Sequence, residues 1–107
     1  MANINSFKNY TANVTTVNTT VYTAPTGYTS IILMAQVANI TGSQQTVTFK
    51  LNNGTTTNLV YNLPVPNNDA VNALTGKLVL ETGDSVSIAA GANNALQLTL
   101  SVLESLN

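Results

Sequence analysis

The last stretch of this chain repeats an apolar residue at every second position: Leu96, Leu98, Leu100 and Val102 alternate with Gln97, Thr99 and Ser101. Successive side chains of a strand point to opposite faces, so this spacing gives one greasy face and one polar face; a helix would scatter the same four groups around its circumference. The period recurs at Val47, Phe49 and Leu51, at Leu59, Tyr61 and Leu63, and at Val86, Ile88 and Ala90. Between these runs stand turn formers: Pro25-Thr26-Gly27, Thr41-Gly42-Ser43, Asn52-Asn53-Gly54, Pro64 to Asn68, Thr82-Gly83-Asp84 and Gly91 to Asn94. Proline presets φ, glycine supplies positive φ, and Asn and Asp bond to their own backbone, so each cluster reverses the chain for a physical reason. The pattern predicts an all-β protein, an antiparallel β-sandwich of about 7–8 strands with no significant helix and a jelly-roll or Ig-like strand order. With 107 residues, one core is expected.

Two segments depart from simple alternation. From Thr29 to Asn39, Ile31, Leu33, Ala35 and Val37 fall on one face of a strand and Ile32, Met34 and Ala38 on the other, so both faces ask for cover. That cover comes either from within the chain or from a subunit interface. The opening segment, Met1 to Thr20, is rich in Asn and Thr, with Ile4, Phe7, Tyr10, Val14 and Val17 as its large apolar residues. Its first ten residues look too sparse to build core. Residues 1–13 are therefore read as an N-terminal arm or edge segment, leading into a strand near Val14 to Tyr22, and 14–107 as a single sandwich domain. Ile4, Phe7, Tyr10, Ile32 and Met34 are the candidate partner-binding residues.

Charge narrows the classes of function. Only 7% of the residues are charged, and there is no histidine, cysteine or tryptophan. Acid–base and nucleophilic catalysis rely on an imidazole, a thiolate, an activated lysine or a carboxylate pair, and three lysines and four acids are the whole charged inventory, so no enzyme activity is expected. Lys8, Lys50 and Lys77 are too few and too scattered to bind a phosphate backbone, which argues against nucleic acid. The apolar run around Ile31 to Ala38 is far short of the ~20 residues that span a bilayer, so no membrane segment is expected. No basic leader with an apolar stretch behind it opens the sequence. The lack of cysteine suits assembly in a reducing cytoplasm. A net charge of −1 does little to keep copies apart.

Individual motifs read as structure. Glu81 and Asp84 form a close carboxylate pair, as a glycosidase uses, but Glu81-Thr82-Gly83-Asp84 has the composition of a tight turn in which the glycine takes positive φ and the aspartate accepts a backbone bond. Asn67, Asn68 and Asp69 offer oxygen ligands with a single carboxylate, which favours a loop over a calcium site. No metal or cofactor is expected. Tyr10, Tyr22, Tyr28 and Tyr61 could stack on sugar rings, although packing in the core or at its rim accounts for them more simply. The sequons at Asn13, Asn18, Asn39 and Asn53 are what an Asn- and Thr-rich chain produces by chance.

Several pieces, taken in order, resemble a family. Val21-Tyr22-Thr23-Ala24-Pro25-Thr26-Gly27 enters an apolar strand ending Val37-Ala38-Asn39; then come Leu63-Pro64-Val65-Pro66, Gly76-Lys77-Leu78-Val79-Leu80-Glu81-Thr82-Gly83-Asp84 and Ser101-Val102-Leu103-Glu104. This order is similar to that of small virion structural proteins of tailed bacteriophages, over roughly residues 20 to 104. The resemblance implies a β-sandwich that decorates or cements a capsid, or sits at the neck or tail. Its implied partners are the major capsid protein or other phage structural proteins, as well as further copies of itself, with a trimer expected on capsid-lattice grounds. Its implied location is the virion, assembled in the host cytoplasm. A carbohydrate-binding module of a tail fibre is the alternative from another class.

Overall fold

A computed structural model describes residues 5–106, and these form nine strands in two antiparallel sheets with no helix among them. The strands are β1 (Asn5–Val14), β2 (Thr19–Thr23), β3 (Tyr28–Asn39), β4 (Gln45–Asn52), β5 (Thr56–Val65), β6 (Ala70–Asn72), β7 (Leu78–Leu80), β8 (Ser85–Ala90) and β9 (Leu96–Leu106). One sheet runs β1-β9-β3, with the short β6 and β7 both paired to the far side of β3; the other runs β2-β8-β4-β5. The partners nest from the outside in: β1 with β9, β2 with β8, β3 with β6 and β7, β4 with β5. A long hairpin wound over itself into two sheets gives this order, which is the jelly roll and not the Ig arrangement.

The alternation seen in the sequence sets what lies between the sheets. Leu96, Leu98, Leu100 and Val102 of β9 face Val86 and Ile88 of β8 and Val47 and Phe49 of β4 in one buried cluster. Phe49 is the largest fully buried side chain. The opening segment is organised differently from the expected strand near Val14 to Tyr22. Residues 5–14 pair with β9 in an unbroken ten-residue register, with Val14 buried opposite Leu96. The chain then crosses between sheets at Thr15 to Asn18 before β2 begins, and the crossing is fixed by Ala90 N donating to Thr15 O at 2.8 Å and Thr16 N to Asn93 Oδ1 at 2.9 Å.

Strand β3 resolves its double apolar pattern through a bulge. Ile32 pairs with Val102 but Met34 pairs with Ser101, so Leu33 is an extra residue and the inward phase shifts by one. Ser30 and Ile32 point inward before the bulge, Ala35, Val37 and Asn39 after it. Ile31, Leu33, Met34 and Ala38 are left half-buried on the outer side. Opposite the bulge the neighbouring strand is interrupted as well, between β6 and β7. There Ala73 N donates to Ala35 O at 2.7 Å, and Ala73 and Leu74 turn into the core.

The turns use the chemistry their residues offer. Gly83 takes φ +88, Asp84 N donates to Glu81 O at 2.9 Å, and Glu81 N donates back to Asp84 Oδ2 at 3.1 Å. At the other end of the sandwich the buried Asn39 holds a loop together. Its Nδ2 donates to Ser43 O and Val65 O at 2.8 and 3.0 Å, and its Oδ1 accepts from Thr41 N and Thr41 Oγ1 at 2.9 and 2.7 Å. The sequon at Asn39 is thereby closed to modification.

Candidate functional site

Strand register brings together on the outer face of the β1-β9-β3 sheet a set of side chains that are far apart in sequence. Phe7 lies opposite Leu103, Leu103 opposite Ile31, and Ile31 opposite Val79, an apolar row crossing four strands. With strands ~4.8 Å apart the row is about 14 Å long. Its ends are the most open, Phe7 at 75% and Val79 at 57% exposure, while Leu103 and Ile31 are half-buried between neighbours. Leu33, turned outward by the bulge, sits beside the row. With Phe7, Lys8, Asn9, Ser101 and Val102 it lines a shallow depression of about 320 Å³.

A second row crosses the same face nearer its other end. Thr11 lies opposite Thr99, Thr99 opposite Gln36, and Gln36 opposite Asn72. Beside it Gln97 Nε2 donates to Asn13 Oδ1 at 3.3 Å. The face is thus apolar at one end and hydroxyl- and amide-bearing at the other, and neither row contains a charge. The outer face of the second sheet differs: Thr20, Ser87, Lys50 and Asn58 follow one another across it. Two uncharged rows, one of them apolar, can be buried against another protein without leaving an unpaired ion.

Directly beneath this face lies an ionic cluster built on a buried carboxylate. Glu104 points inward at 3% exposure, and its Oε1 accepts from Lys8 Nζ at 2.9 Å. Its Oε2 accepts from the Tyr22 hydroxyl, on the opposite sheet, at 2.6 Å. Since the single phenolic proton is committed to the carboxylate, the Ser30 hydroxyl donates to the Tyr22 oxygen at 2.8 Å. Tyr10 packs on Tyr22 with ring centroids 5.2 Å apart. Burial alone pushes the Glu104 carboxyl up, but the bonds from Tyr22 and Lys8 outweigh it and hold the group below its ordinary value. The hydrogen bond to Glu104 raises Lys8, and burial followed by the bond to Glu104 raises Tyr22. Among the described residues no buried side-chain nitrogen or oxygen lacks a partner. The cluster is a satisfied clasp tying β1, β2, β3 and β9 together, not an open pocket.

The residues singled out from sequence are dispersed by the fold. Phe7 anchors the apolar row, and Met34 is half-buried on the same outer face. Tyr10 turns inward onto Tyr22, and Ile32 is fully buried on the core side of the bulge with no surface to offer a partner. Ile4 lies outside the described residues. Leu103 and Val79 escape sequence reasoning because each reads as one member of an ordinary strand. Only the register shows that they share a row. The acids give no constellation: Glu81 and Asp84 close their turn, Asp69 Oδ1 accepts from Ala70 N at 2.8 Å, and the described residues hold no group of three or more acids, histidines or cysteines that could ligate a metal.

Among solved structures, the fold is similar to a chain of the acidic stable capsid of Helicobacter pylori bacteriophage KHP30. The TM-score is 0.60 at 14% identity, over 99% of this chain and 90% of that one. It is also similar to a chain from the Bacillus endospore appendages described as disulfide-linked pili, at TM-score 0.55 and 13% identity, over 97% of this chain and 88% of that one. No family model and no curated protein matches the sequence. At these identities the likeness is one of fold.

Proposed function

We propose that this chain is a non-enzymatic virion structural protein, a capsid decoration or cement subunit that attaches through the outer face of its β1-β9-β3 sheet. The observation that carries the reading is the exposed row Phe7, Leu103, Ile31 and Val79 on a face whose two cross-strand rows hold no charge. The likeness of nearly the whole chain to a chain from a phage capsid supports placing that surface in a virion. The chemistry of the acids supports a non-catalytic role, since the Glu104 carboxylate is committed inside a clasp and the Asp84 carboxylate accepts the Glu81 backbone N–H within a turn. The pilus likeness fits the same general task of building an assembly, but this chain has no cysteine and would have to hold its neighbours without disulfides.

The mechanism is reinforcement. A subunit that binds the assembled shell better than its separated parts stabilises the shell by mass action, and repeated weak contacts add through multivalency. Neutral apolar and amide contacts are little affected by salt or pH. Quantitative mass spectrometry of purified virions tests the assignment: a decoration subunit is present in hundreds of copies per particle, a neck or tail component in tens or fewer. Absence from the particle overturns it.

A further inference from the structure

The four outer edges of the two sheets are not equivalent. Edge strands usually carry devices that stop them pairing with another chain, such as short length, bulges, proline or charge. Strand β5 carries Pro64, two register shifts against β4 and Asn62 at φ +49. Strand β2 is five residues long and shifts register against β8; β6 and β7 have three residues each. Strand β1 is neither short nor bulged and has no proline. It runs ten residues in unbroken register with β9, and no described strand lies on its other side. Its one charge, Lys8, would ordinarily guard such an edge, but Lys8 Nζ is already paired with Glu104.

We propose that β1 is a strand-addition site whose occupant is β1 of a second copy, paired antiparallel about a twofold axis through Asn9 so that the β1-β9-β3 sheet continues across the dimer. A row of backbone donors and acceptors is complemented by another extended strand, and an inward residue must meet an inward residue if the sheet is to continue. That parity leaves two symmetric registers using nine described residues, centred on Asn9 or on Tyr10. Tyr10 is turned inward onto Tyr22, whereas Asn9 is exposed on the outer face and two amides on the axis can bond reciprocally. The Asn9 register sets Lys8 opposite the second copy's Tyr10 and Phe7 opposite its Thr11, with no like charges facing. The guarded β5 edge blocks head-to-tail growth, so the pairing closes as a dimer. This goes beyond the virion assignment and does not depend on it.

The test uses the purified full chain without particles. Light scattering at micromolar concentration is expected to give twice the 11.2 kDa chain mass. Because the chain has no cysteine, Asn9→Cys places a single thiol on the axis and is expected to cross-link as a dimer under mild oxidation. Tyr61→Cys, 69% exposed on the β5 edge, is the control and should not cross-link. Asn9→Lys sets like charges face to face and should weaken dimerisation about tenfold, ~1.4 kcal/mol, with the circular dichroism spectrum unchanged. A monomer mass, a trimer or open polymer, or equal cross-linking of the two cysteine variants overturns the proposal.

Discussion

The Tyr22 hydroxyl reaches across the sandwich to Glu104, 82 residues away in sequence, and donates to its carboxylate at 2.6 Å. This contact joins the two sheets at a point where the core is polar, and Lys8 completes it from the edge strand. Tyr22→Phe removes the donor and leaves a buried carboxylate oxygen and the Ser30 hydroxyl short of a partner. A loss of about 1–3 kcal/mol is expected, read by denaturant unfolding with an unchanged m-value. A variant as stable as the parent would show that the clasp contributes nothing.

The same cluster sets the pH profile. Glu104 titrates below its ordinary 4.5 when folded, so the unfolded chain takes up the proton first as pH falls. Its contribution is present above that value and lost as pH drops through the folded pKa. Lys8 and Tyr22 are shifted upward, so their contributions are present below about 10 and lost as pH rises through the folded values. Stability measured against pH should show a plateau with an acid and an alkaline limb. Glu104→Gln should flatten the acid limb, and Tyr22→Phe should reduce the alkaline one.

Val79 lies at the open end of the apolar row, 57% exposed on a three-residue strand. Val79→Asp should change stability by no more than about 0.5 kcal/mol, as surface substitutions usually do. It should nevertheless abolish or strongly weaken attachment to particles, because a charge would be buried unpaired in the contact. Co-sedimentation with particles lacking the protein checks this. Lys50→Asp, on the opposite sheet, should leave attachment intact.

Asn39 satisfies four loop contacts from a site that is 3% exposed. Asn39→Ala strips the donor from the Val65 carbonyl and the acceptor from Thr41, and a cost of about 2–3 kcal/mol is expected. Hydrogen exchange should show the Thr41 amide losing protection while amides in β9 keep theirs.

How much of this could be read from the residues follows the range of the forces involved. Alternation in β9, β8 and β4 reports a local preference, so the sandwich and much of its core were legible. The Glu81 to Asp84 turn was legible for the same reason. The bulge at Leu33 was not, because an inserted residue leaves no mark in a run where every side chain is apolar, and without it Ile32 and Met34 seem to share a face. Strand β1 was legible only as an arm or edge segment, because its inward residues include Lys8 and Tyr10, which look like surface until Glu104 and Tyr22 are brought against them. The apolar row depends on long-range register between β1, β9, β3 and β7, which no local pattern encodes.

The most direct test of the central claim is an electron cryomicroscopy reconstruction of particles carrying this protein, at a resolution that shows side chains. The account predicts that Phe7, Leu103, Ile31 and Val79 are buried against a shell protein while Thr20, Lys50 and Asn58 face solvent. A reconstruction in which the β1-β9-β3 face is bare and the opposite sheet makes the contact would contradict it.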